Sequence, residues 1–350
     1  MAKIEKSLVG RRGFLKGATA GATGAVLVTQ ATPVKAQAAQ RPTGRVDVQF
    51  HYSPPFYTEM VKAAKHVWTD RWSTQAALAY MDKHKVAVGM MSVSTPGVNF
   101  QPRAGSIALA RRLNDSAAQV AREAPGRFGN FATLPMLDVG ATLTEIAYCF
   151  DTLKMDGVCM MSNVNGVYLG DTSFAPVFDE LNRRKAVIFI HPTDPADMGQ
   201  LKIAPVAEWP FDTCRAAIDL IYSGTIRRCP DIRIILAHAG GALIGVARRV
   251  TEMAEIYSSA KPPVTMDEAI KQVSSFYYDL AIAAHENAIG ALRDLSSLEN
   301  VLFACDWPFA PDKKVEMNVA GFEALRLTPA ERIAIEHGNA ARLFPRLVKI

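Results

Sequence analysis

The sequence predicts an α/β protein folded as one closed barrel of eight parallel strands, each followed by a helix or a long loop. Three observations carry this reading. Eight short β-type runs alternate with longer amphipathic stretches, as βα crossovers require, and eight is a number that closes a barrel. Runs such as AVIFI (186–190) and IRIILA (232–237) are apolar at nearly every position, the mark of strands covered on both faces. An open doubly wound sheet would place a glycine-rich phosphate loop after its first strand, whereas this strand runs into Gln49-Phe50-His51-Tyr52.

Composition agrees with a folded, enzyme-sized chain: 350 residues, 49% apolar and 21% charged, which excludes disorder, collagen-like repeats and coiled coil. The first 38 residues hold Lys3, Lys6, Arg11, Arg12, Lys16 and Lys35 against Glu5 alone and so carry the whole net charge of +5. The other 33 of 39 basic and 33 of 34 acidic side chains cancel, which leaves no global electrostatic reason to bind nucleic acid. Arg11-Arg12, an apolar run to about Val28 and the small residues Ala36 and Ala38 resemble a twin-arginine export signal. The expectation is passage through the twin-arginine export machinery, cleavage near Ala38 and a soluble periplasmic protein. The apolar run is too short and too rich in Gly and Thr for stable membrane insertion. Residues 39–44 read as a linker into a barrel domain spanning 45–350. Five cysteines, an odd number with no C-x-x-C pair, are expected to be buried free thiols.

In chain order the strands are expected at 45–50, 86–93, 128–134, 157–161, 186–190, 232–237, 276–281 and 301–304. Helical stretches are expected between them, among others at 106–123, 139–153, 176–185, 213–229 and 243–256. No repeat, charge block or low-complexity tract follows the leader.

Polar residues suited to a metal fall at the strand ends. His51 follows the first strand, His191 the fifth, His238 the sixth and Asp306 the eighth. In a closed barrel the C-terminal ends of all strands meet on one rim, so residues distant in sequence converge there. Imidazoles plus a carboxylate, with positions left open for water or substrate, suit Zn²⁺, Mn²⁺ or a similar divalent ion. Cys305 and Trp307 flank Asp306 and by strand alternation point away from it.

With these residues in place, the sequence resembles the amidohydrolase superfamily, and within it the amidohydrolase-2 branch that includes aminocarboxymuconate-semialdehyde and resorcylate-type decarboxylases. The carriers are VDVQFHYSPP (46–55), GVCMMSNVNGVYLGD (157–171), VIFIHPTDP (187–195), IILAHAGGAL (234–243) and VLFACDWPF (301–309), in order and at strand ends. The resemblance runs from about Arg45 to Phe344. It implies a distorted TIM-type (β/α)8 barrel with one divalent metal ion at the rim, Zn²⁺ first and Mn²⁺ second. His51, His191 and Asp306 are then the ligands, Asp306 also handling protons, and His238 polarises substrate or bound water. The family's first ligand position, His or Glu elsewhere, is Gln49 here. Either its carbonyl oxygen coordinates or the ion rests on the other three ligands plus water. Asp47 reads as a structural hydrogen-bonding residue.

Arg71 and Trp72 are candidate substrate contacts, Arg71 pairing with a carboxylate; Asn163 and Trp209 are further candidates, with Tyr52 and Phe56 as possible walls. The resemblance implies a cofactor-independent carboxy-lyase acting on an aromatic or unsaturated small-molecule carboxylic acid. A lactone, ester or amide hydrolase is the alternative, a catalytically impaired binding protein a third reading, and a homodimer is an assembly the resemblance allows.

Overall fold

Eight short strands pair edge to edge in chain order, and the first is brought back against the last. The computed structural model describes residues 44–195 and 203–348, so the leader and most of the linker lie outside the described residues. The strands are β1 (Arg45–His51), β2 (Val86–Ser92), β3 (Phe128–Thr133), β4 (Gly157–Met161), β5 (Val187–His191), β6 (Arg233–Leu236), β7 (Tyr277–Asp279) and β8 (Val301–Leu302). Each neighbouring pair is parallel. The Val48 amide donates to the Phe303 carbonyl (3.1 Å), the Asp306 amide to Gln49 (3.1 Å) and the His51 amide to Trp307 (2.7 Å), which nearly closes the barrel. No described helix is long and apolar enough to cross a membrane.

Period-two alternation assigns the faces. Cys159 and Met161, Val187 and Phe189, Ile235 and Ala237, and Leu302 and Ala304 form one apolar cluster, closed by Phe344 and Leu347 from the C-terminal segment. Their neighbours Val158, Ile188, Ile190, Leu236 and Phe303 belong to the larger cluster between strands and helices. Continuing the inner row on β5 and β8 leads to His191 and Asp306. Cys305 and Trp307 belong to the outer row, as alternation predicts.

The helices depart from the predicted bounds where local chemistry intervenes. The stretch at 139–153 is α-helical from Val139 to Ala147 and then widens into a single π turn, Tyr148–Thr152. The one at 213–229 starts earlier, at Glu208, and stops at Tyr222. Gly224, at φ 77°, separates it from a short helix at Thr225–Arg228. The segment after β1 holds two helices, Pro55–Ala63 and Thr74–Lys83. A proline in the first turn opens one, and the Ser73 side chain, accepting from the Ala76 amide, opens the other. All five cysteines are free and buried.

The seam between β1 and β8 is filled by aromatic rings. Trp307 stacks on Phe50 (centroids 5.0 Å) and on Tyr80 (5.1 Å). Trp307→Ala removes the ring that spans the seam. It is expected to lower unfolding free energy by about 3–5 kcal/mol, read as a fall in denaturant midpoint by circular dichroism.

Candidate metal centre

The inner rows of β5 and β8, with the end of β1, deliver three side chains to one place. The ligand atoms of His51, His191 and Asp306 all lie within 4.8 Å of one another, and all three residues are buried. His51 Nε2 is 2.9 Å from Asp306 Oδ1, yet it has no hydrogen-bond partner of acceptable geometry. The two groups stand side by side as ligands of a shared ion do. The imidazoles of His51 and His191 cross almost at right angles, centroids 4.7 Å apart. His191 Nδ1 lies 2.8 Å from the Pro192 carbonyl, which can only accept, so the proton sits on Nδ1 and Nε2 keeps its lone pair for a cation. His51 Nδ1 is fixed by Ser92 Oγ at 3.1 Å.

Gln49 completes the floor. Its Nε2 is 3.0 Å from His238 Nε2, while its Oε1 is buried without a partner. An orphaned carbonyl oxygen inside a protein is costly. Beside two imidazoles and a carboxylate it is the kind of donor a divalent ion satisfies. The residues therefore fit a divalent ion. His238 stands outside the three-ligand group, with Nε2 at 3.8 Å from Asp306 Oδ2.

Two of these residues occupy left-handed backbone that non-glycine residues avoid: His238 (φ 56°) and Asp306 (φ 64°). Both are held by bonds from neighbouring strands. The His238 amide donates to Asp279 Oδ1 on β7 (2.9 Å), and the Asp306 amide donates to the Gln49 carbonyl on β1 (3.1 Å). Just beyond, Gly241 (φ 60°) has no room for a Cβ, which would lie 2.2 Å from the Pro210 carbonyl oxygen. That close approach seats Trp209 and Pro210 against the site.

Burial and charge sort the titratable groups. Burial alone would raise the Asp306 carboxyl, but the His238 and His51 imidazoles outweigh it and hold it well below the usual carboxylate range. Burial pushes the His191 imidazole down, with His51 and His238 adding to the effect. For His238 burial acts downward, but Asp306 overcomes it and the imidazole is raised. Asp279, fully buried, is pushed up to about 7 by burial, against the opposing influence of His238.

A cavity of about 330 Å³ opens beside His238 and Asp306, lined also by Val206, Trp209, Ile244, Ile282 and His285. Trp209 thus lies on the cavity wall, its Nε1 donating to Asp194 Oδ1 (2.8 Å). The other pocket candidates lie elsewhere. Arg71 does not face the cavity: its guanidinium is engaged by the Ala310 carbonyl and the Asp312 carboxylate, and it braces the loop after β8. Trp72 is buried in the core, edge-on to Tyr52 at 4.6 Å, because the two helices after β1 turn that segment inward. Tyr52 is buried with its hydroxyl on Ser116, and Phe56 lies on an outer groove beneath Arg112. Asn163 is buried, its amide nitrogen donating to Asp212 (2.9 Å) and Asp194 (3.2 Å) and its oxygen accepting from Gly166. It walls a separate small pocket with Thr95 and Thr193. Asp47 accepts from the Gln49 and Cys305 amides, as a structural residue does. Sequence reasoning missed Ser92, Ile282 and His285; position at the end of β2 and just past β7 was the available signal for the first two.

A family model described as Amidohydrolase matches residues 46–346. The chain is similar to the decarboxylase macB of Penicillium terrestre, 35% identical over 326 residues that cover 86% of this chain and 95% of the relative. It is similar also to the 6-methylsalicylic acid decarboxylase of Penicillium expansum, 32% identical over 314 residues covering 87% and 97%. In fold it matches, with a TM-score of 0.72 and 20% identity, a dihydroxybenzoic acid decarboxylase from a Polaromonas species solved with bound manganese and the inhibitor 2-nitroresorcinol, over 87% of this chain and 98% of that one.

Metal analysis by mass spectrometry is expected to find about one divalent ion per chain, removable by chelator. His51→Ala and His191→Ala are each expected to lose at least about tenfold in metal affinity while keeping the wild-type circular dichroism spectrum.

Proposed function

The chain belongs to the amidohydrolase family, and on that premise we propose that it is a metal-dependent, cofactor-independent decarboxylase of an aromatic carboxylic acid. The observation that carries this reading is the buried donor set opening on a largely apolar cavity. His51, His191 and Asp306 would hold the ion, with Gln49 Oε1 as the fourth protein donor. When bound, the ion supplies a Lewis-acid anchor for oxygens of the substrate. Manganese is favoured by the Polaromonas neighbour and zinc by the two-imidazole, one-carboxylate set.

The chain's own residues then divide the work. Trp209, Ile244 and Ile282 wall the cavity, exclude water and hold an aromatic ring by apolar contact. Decarboxylation exchanges the ring-carbon bond to CO₂ for a bond to a proton. The depressed carboxyl of Asp306 makes it a poor store for that proton, whereas the raised imidazole of His238 makes a good one. His238 and Asp306, both on the cavity wall with Nε2 and Oδ2 3.8 Å apart, are the groups that deliver this proton to the ring carbon. CO₂ then leaves and the proton donor is refilled from solvent. The leader supports export by the twin-arginine route and a periplasmic site of action, and a homodimer is the proposed assembly.

The test is substrate profiling of the metal-loaded protein. CO₂ release from hydroxybenzoates, matched by the phenol formed, with no turnover of lactones or esters, is the expected result; the reverse would establish a hydrolase instead. His238→Asn is expected to lower kcat by about 10²–10⁴-fold with metal content retained, which separates proton transfer from ligation.

A further inference from the structure

The cavity beside the metal centre is polar at two places and apolar between them. Buried Asp306 and half-buried His238 mark one, and the other is His285, exposed at the mouth. Val206, Ile244 and Ile282 lie on the walls, and none of the described residues lining the cavity is a lysine or arginine. Among the described residues a second carboxylate on the substrate would meet no fixed cation, whereas a neutral hydroxyl needs only a hydrogen-bond partner.

His285 supplies one, and its tautomer is set by the fold. It is the N-cap of the helix Glu286–Leu295, and its Nδ1 accepts from the Ala288 amide at 3.2 Å. A ring nitrogen that accepts carries no proton, so the neutral imidazole bears its hydrogen on Nε2. Among the described residues no group takes that hydrogen. A helix cap of Asn, Asp or Ser would serve the backbone equally well; a longer side chain with a second polar atom leaves a donor free for another task.

We infer that His285 is a specificity-determining residue whose Nε2–H donates to a hydroxyl on the ring edge opposite the carboxylate, so that the preferred substrate is a monocarboxylic phenolic acid oxygenated at that edge. This rests on the decarboxylase reading for the orientation of the acid, carboxylate inward and far edge toward the mouth.

The experiment compares 2,4-dihydroxybenzoate with 2-hydroxybenzoate, which differ only in the hydroxyl opposite the carboxylate, by calorimetric binding to the manganese-loaded full chain. Wild type is expected to prefer the dihydroxy acid, and His285→Ala and His285→Asn each to lower that preference about fivefold to tenfold. Asparagine restores the cap but is too short to reach a ligand in the cavity. His285→Asn should therefore keep the wild-type Tm, while His285→Ala lowers it. A purely capping role predicts the opposite for binding: the asparagine variant would recover the preference, and that result overturns the inference, as does a wild type indifferent to the second hydroxyl. Binding of both acids without CO₂ release from either would remove the decarboxylase reading, and the binding preference would still decide the role of His285.

Discussion

The pairing of β1 with the segment that follows β8 is the constraint on which the site depends. Asp47 Oδ1 accepts from the Cys305 amide (3.2 Å), 258 positions away in sequence, and also from the Gln49 amide (3.2 Å). The Gln49 carbonyl in turn takes the Asp306 amide, and the His51 amide reaches Trp307. These bonds alternate along the seam, so a slip of one residue would turn His51 and Asp306 to opposite faces. They also hold Asp306 in its left-handed backbone, a conformation that persists only where neighbours over-determine it.

That register places three buried carboxyls, Asp47, Asp279 and Asp306, within electrostatic reach of one another, but only Asp306 lies between two imidazoles. Burial drives Asp47 and Asp279 upward and so favours their protonated forms, while His238 and His51 keep Asp306 ionised. Of these three, the one facing the cavity is the one held ionised. A cation there meets an anionic oxygen, two imidazole nitrogens and an unspent amide oxygen, with few competing charges to dilute the attraction.

Much of this was legible in the sequence because strand alternation is a local rule with a global consequence. Continuous apolar runs at 186–190 and 232–237 located β5 and β6, and the polar residue ending each run, His191 or His238, had to emerge at the rim. The same rule sent Asp306 inward and Trp307 outward. Arg71 and Trp72 show where such reasoning ends. Both follow β1 in sequence, but two helices redirect the chain, burying Trp72 and tying Arg71 to the loop at Ala310 and Asp312. His285 shows the converse. Its neighbours contain no motif, and its role at the cavity follows from a helix cap and a loop path that no short window of sequence specifies.

The five interior thiols add a last consequence. Cys149, Cys159, Cys214, Cys229 and Cys305 are all enclosed once the barrel has formed, and burial pushes each thiol up, away from the reactive thiolate. A chain that completes folding before it meets an oxidant offers nothing to cross-link, whereas one that arrived unfolded could be trapped in mispaired disulfides. In an oxidising medium, these thiols therefore stay unpaired only if folding comes before oxidation.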